Sequence, residues 1–275
     1  MRQFCFLLLF LMASCSNADH SIKVKGSDTE VNLSVSLAEA FHKHNKNILV
    51  SVSGGGSGLG IAALLNGNAD LANSSRQIKE GELQLFKNSN LQIDSFIFAV
   101  DAVAFVVGDN MPIDSVSIDE LSKILSGSEK DWQFLTKTAM PINIYGRQSN
   151  SGTYEYVKQK LKIQFSPYAK QMNGNAQILE ALKADESGIG YVGAGYVMGR
   201  NTNGLKILKI HSGDQPAISP LDKQKISKGL YFFQRPLYQY YNRNNYKKIE
   251  PFLEFEKSAE GQKIIETSGY YPVIK

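Results

Sequence analysis

Between positions 147 and 154 the chain reads Arg147-Gln148-Ser149-Asn150-Ser151-Gly152-Thr153-Tyr154. A guanidinium, hydroxyls and a glycine backbone gather there, between an apolar run (Ile142-Asn143-Ile144-Tyr145) and a helix-like one (Tyr154-Glu155-Tyr156-Val157-Lys158). A helix N-terminus carries N–H groups without intrahelical partners and a partial positive charge. Arg147, the Ser151 and Thr153 hydroxyls and the Gly152 backbone at such a place form a donor set suited to a tetrahedral oxyanion.

Three more polar turns share this character. Gly26-Ser27-Asp28-Thr29 offers hydroxyls ahead of a helix, although Asp28 or Thr29 would serve equally as its cap. Gly54-Gly55-Gly56-Ser57-Gly58 lies between a strand and a helix, where glycines let backbone N–H groups approach an anion closely. Asn73-Ser74-Ser75-Arg76 adds hydroxyls and a cation; Ser75 is a candidate ligand, and Arg76 reads as a structural ion-pair partner. In open α/β sheets ligands bind outside the carboxyl ends of strands, so four such turns can converge on one small ligand.

Other chemistries find less support. Gly58-x-Gly60-x-x-Ala63 matches a dinucleotide-binding pattern, but no strand ending in an acidic residue follows about 20 positions later. No Gly-x-Ser-x-Gly nucleophile elbow occurs. His42 and His44 are two apart on an expected helix and so face different sides. No metal-spaced Cys/His cluster or His-Glu-x-x-His motif is present, so neither an enzyme nor a metal or other cofactor is expected. The basic run 242–248 reads as a solvated face rather than a nucleic-acid surface. Tyr231-Phe232-Phe233 and Tyr238, Tyr240 and Tyr241 read as core packing.

The elements that must hold these turns alternate. Strands are expected over 22–25, 48–52, 70–72, 142–145, 189–192 and 230–233, with 93–107 as one long strand or a pair. Helices are expected over 31–44, 57–65, 80–86, 117–125, 153–161, 176–183, 249–255 and 260–266. Ser117 followed by Glu120 has the spacing of a capping box. Alternation of this kind implies an α/β fold with mainly parallel sheets.

Composition fits a folded body with an exported start. Of 275 residues, 43% are hydrophobic and 20% charged, with a net charge of +4, which is ordinary for a globular chain. Met1-Arg2, the apolar run 4–12 and small Ala13-Ser14 read as a signal peptide over 1–14. The small pair before Cys15 resembles the lipobox of bacterial lipoproteins, which implies cleavage before Cys15 and diacylglycerol on its sulfur. Residues 15–21 would then form a lipidated tether. Cys5 would leave with the leader, so no internal disulfide could form in the mature chain.

Taken in order, the four turns, together with Gly188-Ile189-Gly190-Tyr191-Val192-Gly193 and Arg235-Pro236-Leu237-Tyr238, resemble the phosphate-binding lipoproteins of the bacterial phosphate ABC importer. The resemblance covers essentially the whole mature chain. It implies a type II periplasmic-binding-protein fold: two α/β lobes, a central ligand cleft and two crossing strands. The lobes would be 22–100 with 235–275, and 101–234, and the crossings would fall near 99–104 and 230–236.

The resemblance also implies a ligand set, carried over by position: Asp28, Thr29, Ser57, Ser75, Arg147, Ser151, Gly152 and Thr153. Thr29 and Ser57 would supply hydroxyls and backbone N–H groups, Ser75 a hydroxyl, and Arg147 a charged fork. Ser151, Gly152 and Thr153 would present N–H groups and hydroxyls at a helix start. Implied partners are inorganic phosphate, ABC permease subunits, and a bacterial membrane through the lipid at Cys15; no nucleic acid is expected, and the chain is expected to be a monomer. Some family members place Asp where Ser75 stands here, a carboxylate that accepts the proton of hydrogen phosphate and repels sulfate. Asp28 and Glu30 are the candidate replacements. A related oxyanion (sulfate, molybdate, arsenate or phosphonate) and a non-transport sensor or surface protein of the same fold are the competing readings.

Overall fold

The computed structural model describes residues 21–198 and 202–273. The expected leader, Cys15 and the tether up to residue 20 lie outside the described residues. Among the described residues no helix is long and apolar enough to cross a membrane.

The chain opens as β1 (Ser21–Gly26), α1 (Val31–His44), β2 (Leu49–Ser53), α2 (Ser57–Leu65), β3 (Leu71–Ser74) and α3 (Glu80–Asn88). It continues as β4 (Ile93–Gly108), β5 (Ser115–Ser117), α4 (Ile118–Ser126), β6 (Asn143–Arg147), α5 (Gly152–Leu161), β7 (Lys170–Met172), α6 (Asn175–Lys183) and β8 (Gly188–Gly193). It closes as β9 (Leu205–His211), α7 (Lys223–Ser227), β10 (Gln234–Asn242), α8 (Tyr246–Lys257) and α9 (Ala259–Thr267).

Local chemistry explains several of these elements. In α1, Leu33, Leu37 and Phe41 recur at four-residue spacing and are all fully buried. The Ser117–Glu120 capping box forms at the start of α4: Ser117 Oγ accepts from Glu120 N at 3.1 Å, and Ser117 N donates to Glu120 Oε2 at 2.8 Å.

The strand order is β2-β1-β3-β10-β4-β8-β6-β7, with β9 also beside β4 and β5 beside β9. The expectation of mainly parallel sheets is corrected here. β1, β2 and β3 are parallel, as are β6, β7 and β8, but β10 is antiparallel to β3 and β4, and β4 is antiparallel to β8 and β9. Residues 93–107 lie in one long strand, not a pair. β4 pairs with β10 from Ile93 to Ala102 and with β8 from Val103 to Val107, so it runs from one parallel group into the other.

The hydrophobic core divides at this passage. One set of clusters joins Ile22, Phe41 and Ala99 to Leu237 and Phe252; Phe41 and Phe252 meet edge to face at 5.3 Å. The other joins Val103, Trp132, Tyr191 and Phe233. Tyr271 crosses over: it packs in the second cluster although its neighbour Tyr270 packs in the first, and its backbone exchanges hydrogen bonds with Val100.

The strand expected over 230–233 is not formed. Those residues make a turn after Gly229, whose φ of +71° sharpens it, and the strand begins at Gln234. Tyr231 and Phe233 are buried there, so the aromatic content that suggested a strand serves core packing instead. β5, β7, β9 and α7 are elements that sequence patterning did not indicate.

Candidate functional site

Four chain segments meet at the line where the two cores divide. Gly26 ends β1 with φ +141°, and a side chain there would overlap the Asn73 carbonyl. A 3-10 turn at Asp28–Glu30 then leads into α1. Gly55 and Gly56 at φ +123° and +110° turn the chain so that Gly56 N donates to Gly26 O at 2.8 Å and α2 starts at Ser57. Ser75 follows β3. From the other side, Ser151 caps α5, its hydroxyl accepting from Thr153 N at 3.2 Å and Tyr154 N at 3.4 Å.

These segments touch across the division. Thr29 Oγ1 and Thr153 Oγ1 are 3.0 Å apart, and Gly58 N donates to Asn150 O at 3.0 Å. A methyl group on Gly152 would overlap the Ser57 hydroxyl and lie 2.6 Å from Ser75 Oγ. Thr29, Ser57, Ser75, Ser151, Gly152 and Thr153 are thus one cluster, every member of it buried.

Each of its hydroxyls accepts from a donor of the protein, and one of the two threonines also donates to the other. Ser57 Oγ accepts from Ser75 N at 3.1 Å. Ser151 Oγ accepts from two backbone N–H groups. Arg235 Nη2 donates to Thr153 Oγ1 at 3.0 Å and to Thr29 Oγ1 at 3.4 Å. Ser75 Oγ accepts from Ser27 Oγ at 3.0 Å. A hydroxyl whose lone pairs are engaged by fixed donors turns its own proton outward. The cluster is therefore built to donate.

Arg147 and Asp28 sit at one flank and engage each other. Arg147 Nη1 donates to Asp28 Oδ2 at 3.3 Å, and Nη2 to the Asn173 carbonyl at 3.0 Å; Arg147 Nε is buried without an acceptor. Burial lowers the guanidinium's pKa, and the Asp28 carboxylate opposes that shift. Asp28 Oδ2 also accepts from Asn175 N at 2.8 Å and Asn175 Nδ2 at 2.6 Å. Asp28 therefore does not cap its own helix; it serves the N-terminus of α6, on the other side of the division.

Sequence reasoning left Arg235 without a role. It is 1% exposed and pairs with fully buried Asp101, with Nε and Nη2 donating to Oδ2 at 3.0 and 2.8 Å. Burial raises the Asp101 carboxyl's pKa, against the opposing charge of Arg235. Arg76 is the ion-pair partner expected, forked onto Glu82 at 2.8 and 2.7 Å. Each guanidinium here is matched by a carboxylate, so selection falls on hydrogen-bond donors more than on net charge. A separate concavity of about 490 Å³ is lined by Lys160, His211, Leu230, Phe232 and the start of β10, including Arg235.

The model of a PBP superfamily domain matches residues 13–260. The phosphate-binding protein PstS of Pseudomonas aeruginosa is 31% identical over 230 residues, covering 77% of this chain and 70% of that protein. PstS of Borreliella burgdorferi is 28% identical over 221 residues, covering 76% and 75%. Among solved structures, a putative phosphate ABC transporter substrate-binding protein with bound phosphate from Clostridium perfringens superposes with a TM-score of 0.81 at 21% identity, over 92% of this chain and all of that one. The PstS structure from Borrelia burgdorferi superposes at 0.58 with 27% identity, over 93% and 99%. With its two parallel strand groups joined by long antiparallel strands, the chain belongs to the PBP superfamily and, within it, to the PstS-like phosphate-binding proteins.

Proposed function

We propose that this protein is an extracytoplasmic receptor that binds inorganic phosphate in the cleft between two lobes and delivers it to an ABC permease. The observation that carries the reading is the buried hydroxyl cluster whose lone pairs are engaged by donors of the protein. Ser57 and Ser151 accept hydrogen bonds from backbone N–H groups, and Thr29 and Thr153 from Arg235; with one threonine donating to the other, this leaves the two serine protons and one threonine proton for an acceptor-rich tetrahedral ligand. Arg147, with a buried N–H lacking an acceptor, supplies the charge-assisted contact. Gly152 brings the start of α5 against Ser57 and Ser75, adding the helix N-terminus.

In this reading residues 22–100 with 235–275 form one lobe and 101–234 the other. Ligand favours closure because only the closed arrangement joins Thr29, Ser57 and Ser75 to Ser151, Gly152 and Thr153. The residues act by binding and orienting the oxyanion; no bond is made or broken. Cleavage of the 1–14 leader and lipid on Cys15, followed by a tether that ends before Ser21 enters β1, would hold a monomeric receptor at the membrane surface beside its permease.

Calorimetric titration of the ligand-stripped protein with phosphate and then sulfate tests the reading. Micromolar or tighter phosphate binding with no sulfate signal is expected. Binding of neither anion would refute it, and sulfate binding at equal strength would make the protein a general oxyanion receptor.

A further inference from the structure

The strand group of β1, β2 and β3 has two ends, and phosphate binding uses one of them. The ligand turns follow Gly26, Ser53 and Ser74, the carboxyl ends of these strands. At the opposite end the termini of five strands lie side by side: β2, β1, β3, β10 and β4. Leu49 of β2 is the register partner of Ser21 of β1, and Ile93 of β4 that of Asn242 of β10. Asp70, just before β3, donates its N–H to the Lys23 carbonyl of β1 at 2.8 Å. At about 4.8 Å per strand this edge is about 20 Å wide. Helices α1 and α3 run back from the ligand turns and end here, and α8 starts here.

Basic side chains collect along the edge. The end of α1 and the loop after it bring Lys43 and Lys46, α3 brings Lys87, and the run after β10 brings Arg243, Lys247 and Lys248. Three carboxylates stand among them, each already engaged. Asp70 accepts from Lys248 Nζ at 2.8 and 2.9 Å, Asp94 accepts from Arg243 Nε at 3.1 Å, and Glu260 lies 2.9 Å from His44 Nε2. Lys43, Lys46, Lys87 and Lys247 are exposed and form no ion pair among the described residues. Glu39 and Glu250 stand about one turn further from the edge, on α1 and α8, and pair with none of them. Leu49, beside Ser21, is 59% exposed. Unpaired ammonium groups along one edge repel one another, and an anionic surface relieves that repulsion. An exposed leucine beside them suits the boundary between lipid headgroups and acyl chains. The polypeptide enters the fold at Ser21, on this same edge, so a tether from Cys15 would arrive here.

Resting on the anchored-receptor reading above, we propose that this edge is the face that rests on the membrane, with Lys43, Lys46, Lys87 and Lys247 against anionic phospholipid headgroups and Leu49 at the headgroup boundary. A basic residue held close to an anionic bilayer contributes roughly fivefold in affinity. A short tether makes such weak contacts effective, because it keeps the surface at high local concentration. Contact through this edge leaves the turns at the carboxyl ends of β1, β2 and β3 facing away from the bilayer. The basic run 242–248, a solvated face by sequence, thereby gains a partner of opposite charge.

The test is cosedimentation with vesicles of the chain from Ser16 onward, which holds every described element and no lipid. Vesicles of equal parts phosphatidylglycerol and phosphatidylcholine are compared with phosphatidylcholine alone. The parent should bind the anionic vesicles at least tenfold more tightly and lose that preference in high salt. The triple variant Lys43→Gln, Lys46→Gln, Lys247→Gln should lose at least tenfold in affinity for them. A control triple, Lys137→Gln, Lys209→Gln, Lys228→Gln, removes as many exposed charges from the other lobe and should stay within threefold of the parent. Phosphate dissociation constants should hold within threefold in both triple variants. Equal binding of the parent to both vesicle types, or equal losses in the two triple variants, would overturn the membrane face. Absence of lipid from Cys15 of the exported protein, read by mass spectrometry, would instead overturn the anchored reading and leave the vesicle result standing.

Discussion

Substituting Gly152 by Ala places one methyl group at a close contact across the proposed cleft. That methyl would overlap the Ser57 hydroxyl, with Ser75 Oγ at 2.6 Å and Ser57 Cβ at 3.2 Å. Two serine side chains can yield only by rotating. Ser57 would then release the Ser75 N–H it accepts at 3.1 Å, and Ser75 the Ser27 hydroxyl at 3.0 Å. Each buried hydrogen bond lost costs about 1–2 kcal/mol, so closure is weakened by about 2–4 kcal/mol. At about 1.4 kcal/mol per decade this is a roughly 30- to 800-fold rise in the phosphate Kd. Folding should not suffer, because Ala is favoured over Gly in a helix by up to about 1 kcal/mol. Calorimetry and thermal unfolding of Gly152→Ala separate the two effects. Gly81→Ala is the control, since open space surrounds Gly81 in α3. A Gly152→Ala protein binding phosphate within threefold of the parent would refute the assignment of this contact to the binding site.

Other expectations follow from the same geometry. Arg147→Ala removes a buried charge partner and should weaken phosphate roughly 100-fold or more by titration; unchanged affinity would move the site elsewhere. Glu256 is buried, and its pKa is raised by burial from 4.5 to about 8, so its neutral form favours folding fully below pH 4.5 and progressively less as pH rises towards 8. Glu256→Gln, which keeps a hydrogen-bonding partner for Gln239, should flatten that decline and gain up to about 3 kcal/mol at pH 7; denaturant midpoints falling equally with pH in both proteins would contradict this. The Lys79–Glu155 pair, 3.0 Å long with Lys79 45% exposed, reaches across the division. Lys79→Ala should therefore cost less than about fivefold in phosphate affinity, and the difference should vanish in high salt.

Local signals made much of this readable from the chain. The helices over 31–44 and 57–65 were expected at the bounds they adopt, because four-residue apolar spacing marks the first and a glycine turn precedes the second. The cluster around 151–153 was legible because a capping serine, a glycine and a threonine stand together. What escaped depended on distant partners. Arg235 looks like any arginine before a proline until Asp101, 134 positions away, fixes its fork beside two threonines. Asp28 looks like a cap for the helix that follows it, and only the tertiary fold turns it to Asn175, 147 positions on. β9 has Leu205, Leu208 and Ile210 buried, a spacing that alternates only at its end. Leu230-Tyr231-Phe232-Phe233 reads as a strand because aromatic content does not distinguish a buried turn from an extended segment.

The position of Asp28 makes α6 an internal reporter of the cleft. The carboxylate that satisfies the first amide of α6 belongs, in the two-lobe reading, to the opposite lobe, and Gly174, which precedes that helix, has no side chain with which to replace it. If the lobes part as proposed, the first turn of α6 loses its anion and its amides meet water. Amide hydrogen exchange at the start of α6 would thus follow opening and closing from a helix that holds none of the ligand-binding hydroxyls, and saturating phosphate would slow exchange there as well as in the pocket.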